Sequence, residues 1–293
     1  MDLGGAGAGR VSALLAGLVD DAGLFPPTAL PPAEAVARHR RDRAAAHPMH
    51  TLRFLVPVGR LEEIRAELRP DDRLVLGLIA DASVPGDPAE RLRSALATVA
   101  ADDRLETALV EAPLAAFGTD PATAAPAVLA ATADAGVPVF LEPAAPSGID
   151  ALLTAVAGAP GVGAKLRCGG VRAELFPSPA EVAHFVLVCA RAGVPFKATA
   201  GLHRAVRHRD PETGFTHHGY LNLLLAAARS AVGPTAAALV PDALETTSPD
   251  TLVRELTALS APAAAAARAL FTSYGSCSTA TPVSEARTLL GTA

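Results

Sequence analysis

Short, nearly continuous apolar runs alternate with longer stretches of helical periodicity through most of the 293-residue chain. Runs of that length, closed by Pro, Gly or Asp, read as strands buried on both faces, the pattern of a parallel sheet. The spacing predicts strands over 18–25, 51–58, 73–81, 107–113, 138–143, 162–167 and 195–199. A short helix is expected over 11–17, and longer ones over 31–45, 61–68, 88–100, 121–135, 149–157 and 179–192. Two junctions echo one another: Ala135-Gly-Val-Pro-Val-Phe140 and Ala192-Gly-Val-Pro-Phe-Lys197. In each, Gly takes the left-handed cap and Pro stops the helix before the next strand begins.

The last third is less regular. A strong helix is expected over 219–232, mostly helical alanine-rich chain over 235–267, an eighth strand over 269–274, and a closing helix over 284–290. Seven strands alternating with helices at roughly 25 to 32 residues, and an eighth unit after them, predict an α/β protein, a (β/α)8 TIM barrel in one domain spanning 1–293. The stretch 203–268 is then a helical insertion. A doubly wound open sheet is the alternative, but no Gly-x-Gly-x-x-Gly follows the first strand.

Composition narrows the function. No apolar run approaches the ~20 residues of a membrane span. Residues 1–10 lack a charged region followed by a long apolar core, so a cytoplasmic protein is expected. Three cysteines without a CxxC pair agree with a reducing compartment. A net charge of −5, no basic run, no Trp and two Tyr argue against nucleic acid as partner. A small-molecule substrate is expected, and self-association as a homo-oligomer is compatible with the sequence.

The cations are unevenly written. Of 25 basic residues only Lys165 and Lys197 are lysines, at matching points of the sixth and seventh strands. Arg stays protonated in proteins, whereas Lys can be tuned toward a neutral, nucleophilic amine. Catalytic groups of such barrels lie at the C-terminal ends of strands. There the sequence places Asp20 or Asp21, Asp81, Glu111, Glu142, Lys165 with Arg167, Lys197 with Thr199, and after the eighth strand Ser276 and Ser278. Strand alternation puts Lys165 and Arg167 on one face. Three cations on one wall are expected to repel one another and favour a neutral amine on one lysine.

Lysines ending strands 6 and 7, with carboxylates on strands 1 and 4, resemble the class I, Schiff-base aldolases of the deoxyribose-phosphate aldolase type. The resemblance is one of architecture and lysine placement. It implies a lyase in which Lys165 forms the Schiff base, Lys197 tunes it, Glu111 relays protons and Asp20 assists, with no cofactor. It also implies an anion site lined by Gly169, Gly170, Gly201, Ser276 and Ser278. The chain departs from that family in having Leu166-Arg167-Cys168 after the first lysine, and Arg167 is expected to clamp a carboxylate or phosphate in place of small hydroxyls.

Two other readings stand beside it. Asp81, Glu111 and Glu142 end three consecutive strands, which resembles the Mg²⁺ triad of the enolase superfamily, with Lys165 as base. Alternatively the Lys/Glu layer is a structural ion-pair network inside a non-catalytic barrel that serves as a binding module. Four of the eight histidines follow strand 7. Among them His203 is the expected proton-transfer group, His208 a solvated residue, and His217-His218 lack helical metal spacing. Cys277 reads as a buried thiol with no His placed to activate it. Asp71, Asp72, Asp102 and Asp103 are expected to be solvated at the far end.

Overall fold

The computed structural model describes residues 11–81 and 85–291. The glycine-rich start, on which the expectation about a leader rests, lies outside them. A helical stretch over 11–15 leads into a closed barrel of eight parallel strands: β1 (Val19–Asp21), β2 (His50–Pro57), β3 (Leu74–Ile79), β4 (Leu105–Pro113), β5 (Val139–Glu142), β6 (Val162–Arg167), β7 (Phe196–Thr199) and β8 (Phe271–Ser276). Each strand pairs with its sequence neighbours, and β1 closes the ring against β8. The helices between them are α1 (Pro32–Ala45), α2 (Leu61–Ala66), α3 (Pro88–Ala100), α4 (Pro121–Thr132), α5 (Ile149–Ala155), α6 (Pro179–Ala192) and α7 (Tyr220–Val232). The fold is the (β/α)8 barrel that the periodicity predicts. Among the described residues, no helix is long and apolar enough to cross a membrane.

The helix starts are written locally. Asp87, Asp120 and Ser178 each cap a helix through the side chain and are followed by Pro, whose missing N–H costs nothing in the first turn. Ser178 and Glu181 complete a reciprocal capping box. Gly136 and Gly193 take positive φ where the two echoed junctions require it.

Two apolar layers result from strand alternation. Outward residues such as Phe54, Val56, Leu76, Leu141, Leu166 and Phe196 pack under the helices. Inward, Leu55, Gly77 and Leu109 fill one part of the lumen and Phe140 lies against Gly163. The register of β8 slips, so that Phe271 opposes Phe196 while Ser273 opposes Lys197. That bulge lets Phe271 stack outward on Phe196 while Ser273 faces in.

Three expectations change here. The helix over 220–232 is apolar nearly all round, and it packs against α6, β8 and the late helix Ala261–Leu270. A helix with no polar face is buried, so it is the ring's seventh helix. The insertion reduces to the loop 200–219 and the short helices within 234–258. The eighth strand starts two residues later than expected, because Ala269 and Leu270 finish the preceding helix. At the far end Asp72 and Asp102 are not solvated but ion-paired, to Arg40 and to Arg65 and Arg104.

Gly163 is a strict requirement of the lumen. A Cβ there would lie 2.4 Å from the Phe140 ring and 2.9 Å from the Pro195 carbonyl oxygen. Gly163→Ala should therefore destabilise the barrel by about 1–3 kcal/mol through overpacking, read as a lowered midpoint in urea unfolding with an unchanged slope.

Candidate functional site

Register brings the inward polar residues of six strands into one chain. Lys165 stands beside Lys197 on the neighbouring strand, and Ser273 beside Lys197 on the other side. Lys165 Nζ is 2.7 Å from Glu111 Oε2 and 3.1 Å from Glu142 Oε2. Lys197 Nζ is 3.1 Å from Glu111 Oε1 and donates a short hydrogen bond to Asp20 Oδ2. At one end Arg53 Nε is 2.8 Å from Asp20 Oδ1, and at the other Arg167 Nε is 2.7 Å from Glu142 Oε1. The order is Arg53, Asp20, Lys197, Glu111, Lys165, Glu142, Arg167, with charge alternating at every step.

The five inner members are buried, and the two arginines at the ends are partly exposed, at 24% and 41% of their side chains. Thr51 and Ser273 donate further hydrogen bonds to Asp20. Asp21, adjacent in sequence, faces the other way and holds Arg38 and His39 of α1. Alternation thus settles which aspartate belongs to the lumen.

Charge and burial oppose each other throughout the chain. Burial would raise the Asp20 carboxyl, but Lys197 and Arg53 outweigh it and hold its pKa at about 2. Burial would likewise raise Glu111, and Lys165 and Lys197 bring it below the ordinary range. Lys165 departs from the expectation of a neutral amine. Burial would lower it, yet Glu111 and Glu142 outweigh burial and the ammonium is held above its usual pKa. Mutual repulsion of the lysines does not decide the matter, because Glu111 lies between them. Glu111 is thus within hydrogen-bonding reach of both ammonium groups, and Lys165 of both carboxylates.

A cavity of about 110 Å³ opens over β6, between the loop after β5 and the loop before α6. Lys165, Arg167, Pro143, Pro146, Leu175 and Phe176 are among its walls. Phe176 in turn packs on Phe215 and His217 of a small antiparallel hairpin, His208–Arg209 with Thr216–His217. The hairpin thereby backs one wall of the cavity.

Other expected site residues go elsewhere. His203 turns to Cys277, with Nδ1 3.4 Å from Sγ, and stands near His217 rather than beside a lysine. Cys277 thus has a histidine neighbour that lies 74 residues away in sequence. His208 is not a free solvated side chain but stacks on His217. Ser276 donates to the Ser278 carbonyl, and the Ser278 hydroxyl accepts from the Thr281 N–H. Both serve the start of the last helix rather than an anion site. Gly169 and Gly201 meet backbone to backbone, since a Cβ on Gly169 would come within 2.9 Å of Gly201 Cα. Gly170 lies under Leu175, and the Thr199 carbonyl accepts from the Cys168 N–H. Lys165 fills the space between Glu111 and Glu142. Among the described residues no group of three or more His, Cys, Asp or Glu is gathered to hold a metal ion.

Arg53, Thr51 and Ser273 are members of the network that the sequence reading passed over. The signal for the first two was present, as Thr51 and Arg53 alternate with the apolar Leu52 and Phe54. No family model, curated protein or solved structure matches the chain.

Removing one cation should expose the cost of the buried carboxylates. Lys197→Met leaves Asp20 and Glu111 facing each other, and a loss of about 3–5 kcal/mol is expected at neutral pH. In the native protein Asp20 is depressed to about 2, so its stabilisation is complete above its unfolded value of 3.8 and is lost as pH falls through about 2. Denaturant titrations from pH 7 to pH 3 should show wild type weakening in acid while the deficit of the variant narrows, because its carboxyls can take up protons.

Proposed function

We propose that the barrel is a lysine-dependent lyase that forms an enamine on a small carbonyl compound, with Lys165 as the covalent residue. One observation carries this reading. Lys165 is a buried amine near the C-terminal end of β6, its residue borders the cavity, and both neighbours of its Nζ are carboxylates able to take up its proton. A barrel of this kind is commonly an enzyme with its groups at the C-terminal ends of strands.

The chemistry follows from the partners. An ammonium and a ketone or aldehyde give a protonated iminium and one water. Two of the three ammonium protons leave with the carbonyl oxygen, the third stays on nitrogen, and the charge is unchanged. Attack itself needs the neutral amine, so one proton must first move to a carboxylate. Glu111 suits this role: one of its oxygens lies 2.7 Å from Lys165 Nζ and the other 3.1 Å from Lys197 Nζ. Glu111 returns that proton to the departing hydroxyl, which leaves as water. The iminium then accepts the electron pair of an adjacent bond. The same carboxylate takes the proton released, from carbon when a C–H bond breaks, or from the hydroxyl of the fragment that leaves as a carbonyl compound when a C–C bond breaks. Lys197, held between Asp20 and Glu111, keeps Glu111 ionised and ready to accept.

A second reading, a purely structural ion-pair chain, is favoured by the raised pKa of Lys165, and the same experiment decides between them. Incubation with acetaldehyde or hydroxyacetone and cyanoborohydride, followed by intact mass and peptide mapping, should place one adduct on the Lys165 peptide and none on Lys197. Because Lys165 is raised, its neutral fraction grows with pH, so trapping should accelerate from pH 7 to pH 10. Glu142→Gln removes one of the two carboxylates that raise it and should move that acceleration to lower pH. Labelling confined to the α-amino group would leave the structural reading standing.

A further inference from the structure

The alternating chain is odd in number, and that oddness points to a ligand. It begins and ends on arginine, with Arg53, Lys197, Lys165 and Arg167 against Asp20, Glu111 and Glu142. Four cations thus face three anions. At the Arg53 end the guanidinium is committed through two of its nitrogens, since Nε meets Asp20 and a terminal nitrogen donates to Ser273. At the other end Arg167 uses only Nε, on Glu142, and its two terminal nitrogens have no hydrogen-bond acceptor among the described residues. That guanidinium is also the more exposed of the two and lines the cavity together with Lys165.

From this geometry we infer that the substrate is a small 2-oxo acid, whose carboxylate docks on the free edge of Arg167 while its carbonyl carbon meets Lys165. The inference rests on the lysine reading above and names its substrate class. A monoanion at Arg167 brings the chain to four cations and four anions, which removes the uncompensated charge at its open end. Two parallel N–H donors of a guanidinium match the two oxygens of a carboxylate. Lys165 and Arg167 are two residues apart on one face of β6, roughly 6.6 Å along the strand. Both side chains can therefore reach adjacent carbons of one short molecule. The cavity, about 110 Å³, has room for a small organic acid. Pro143, Pro146, Leu175 and Phe176 offer an apolar wall to its methyl or methylene end. The rim carboxylates do not compete for the guanidinium, because Glu181 is engaged with Ser178 and Glu174 lies near Arg172.

In the covalent step the bond from Nζ to the former carbonyl carbon forms and the carbonyl oxygen leaves as water, while the carboxylate stays on Arg167 unchanged. Reductive trapping with pyruvate, acetone and acetaldehyde over a concentration series tests this directly. Half-saturation for pyruvate at Lys165 should lie at least tenfold below that for acetone. Arg167→Gln should abolish the preference, with a circular-dichroism spectrum and a cooperative unfolding transition reporting that the variant is folded. Arg172→Gln, an exposed neighbour, should leave both the preference and acetone trapping unchanged. Acetate should compete with pyruvate more strongly than inorganic phosphate does; the reverse order would assign the anion site to phosphate and overturn the carboxylate class. Equal trapping of pyruvate and acetone at Lys165, or a preference that survives Arg167→Gln, would overturn the substrate class and leave the lysine reading intact. If no carbonyl compound forms an adduct, the lysine reading fails. The shift of the unfolding midpoint by pyruvate then decides the anion site: a shift lost in Arg167→Gln supports carboxylate binding there, and no shift overturns it.

Discussion

Glu111 is the contact on which the site depends. Two buried ammonium groups on adjacent strands would repel each other strongly in a medium of low dielectric, and each would lose its proton or drive water into the lumen. With one carboxylate oxygen turned to each lysine, Glu111 offsets that repulsion inside the barrel. Everything beyond follows outward from that bridge: Asp20 completes Lys197, Glu142 completes Lys165, and arginines close the two ends. The arrangement stabilises each member against its neighbours, while an apolar replacement of the whole set could be equally stable. A chain of buried charges that stability alone does not require is more readily understood as chemistry held in place.

The division of labour between the two cationic side chains supports the same view. Arginine is used where a planar fork can meet carboxylates or carbonyls near the surface. Arg40 grips both oxygens of Asp72, Arg104 grips both oxygens of Asp102, and Arg268 donates to four backbone carbonyls at the N-terminal end of the barrel. Burial even pushes that last guanidinium down to about 10. Lysine appears only in the lumen, where a compact charge on a flexible stem fits between carboxylates and can give up a proton.

Much of the architecture was legible in the chain because strand and helix periods are local properties. The apolar runs located all eight strands within a few residues, and Gly136 and Gly193 marked their caps. The lysines were legible because they are rare among the basic residues. What could not be read was who faces whom. That Glu111 bridges the lysines depends on the stagger of four strands around the closed ring, which no single segment encodes. Ser273 was missed because the bulge in β8 changes which residues point inward. Ser276 and Ser278 were misplaced because a serine before a helix serves the helix start as readily as a ligand, and only the hydrogen bonds distinguish the two. The neutral amine expected from the nearby Arg167 and Lys197 was not found at Lys165 for the same reason, since the groups in contact with its ammonium are carboxylates.

The bulge has a consequence for how this barrel can vary. A strand carries one bit of information per residue, inside or outside, and an added or lost residue inverts every bit downstream. In β8 the extra residue between Phe271 and Ser273 resets that parity once, so an aromatic can serve the outer layer and a hydroxyl the lumen only two positions later. Substitutions along β8 therefore alter one layer at a time. Deleting the extra residue, Thr272, would return β8 to plain alternation, with Phe271 still outside and Ser273 still opposite Lys197. Deleting Ser273 instead would set Tyr274, now stacked on Tyr220 outside, against the buried carboxylate of Asp20.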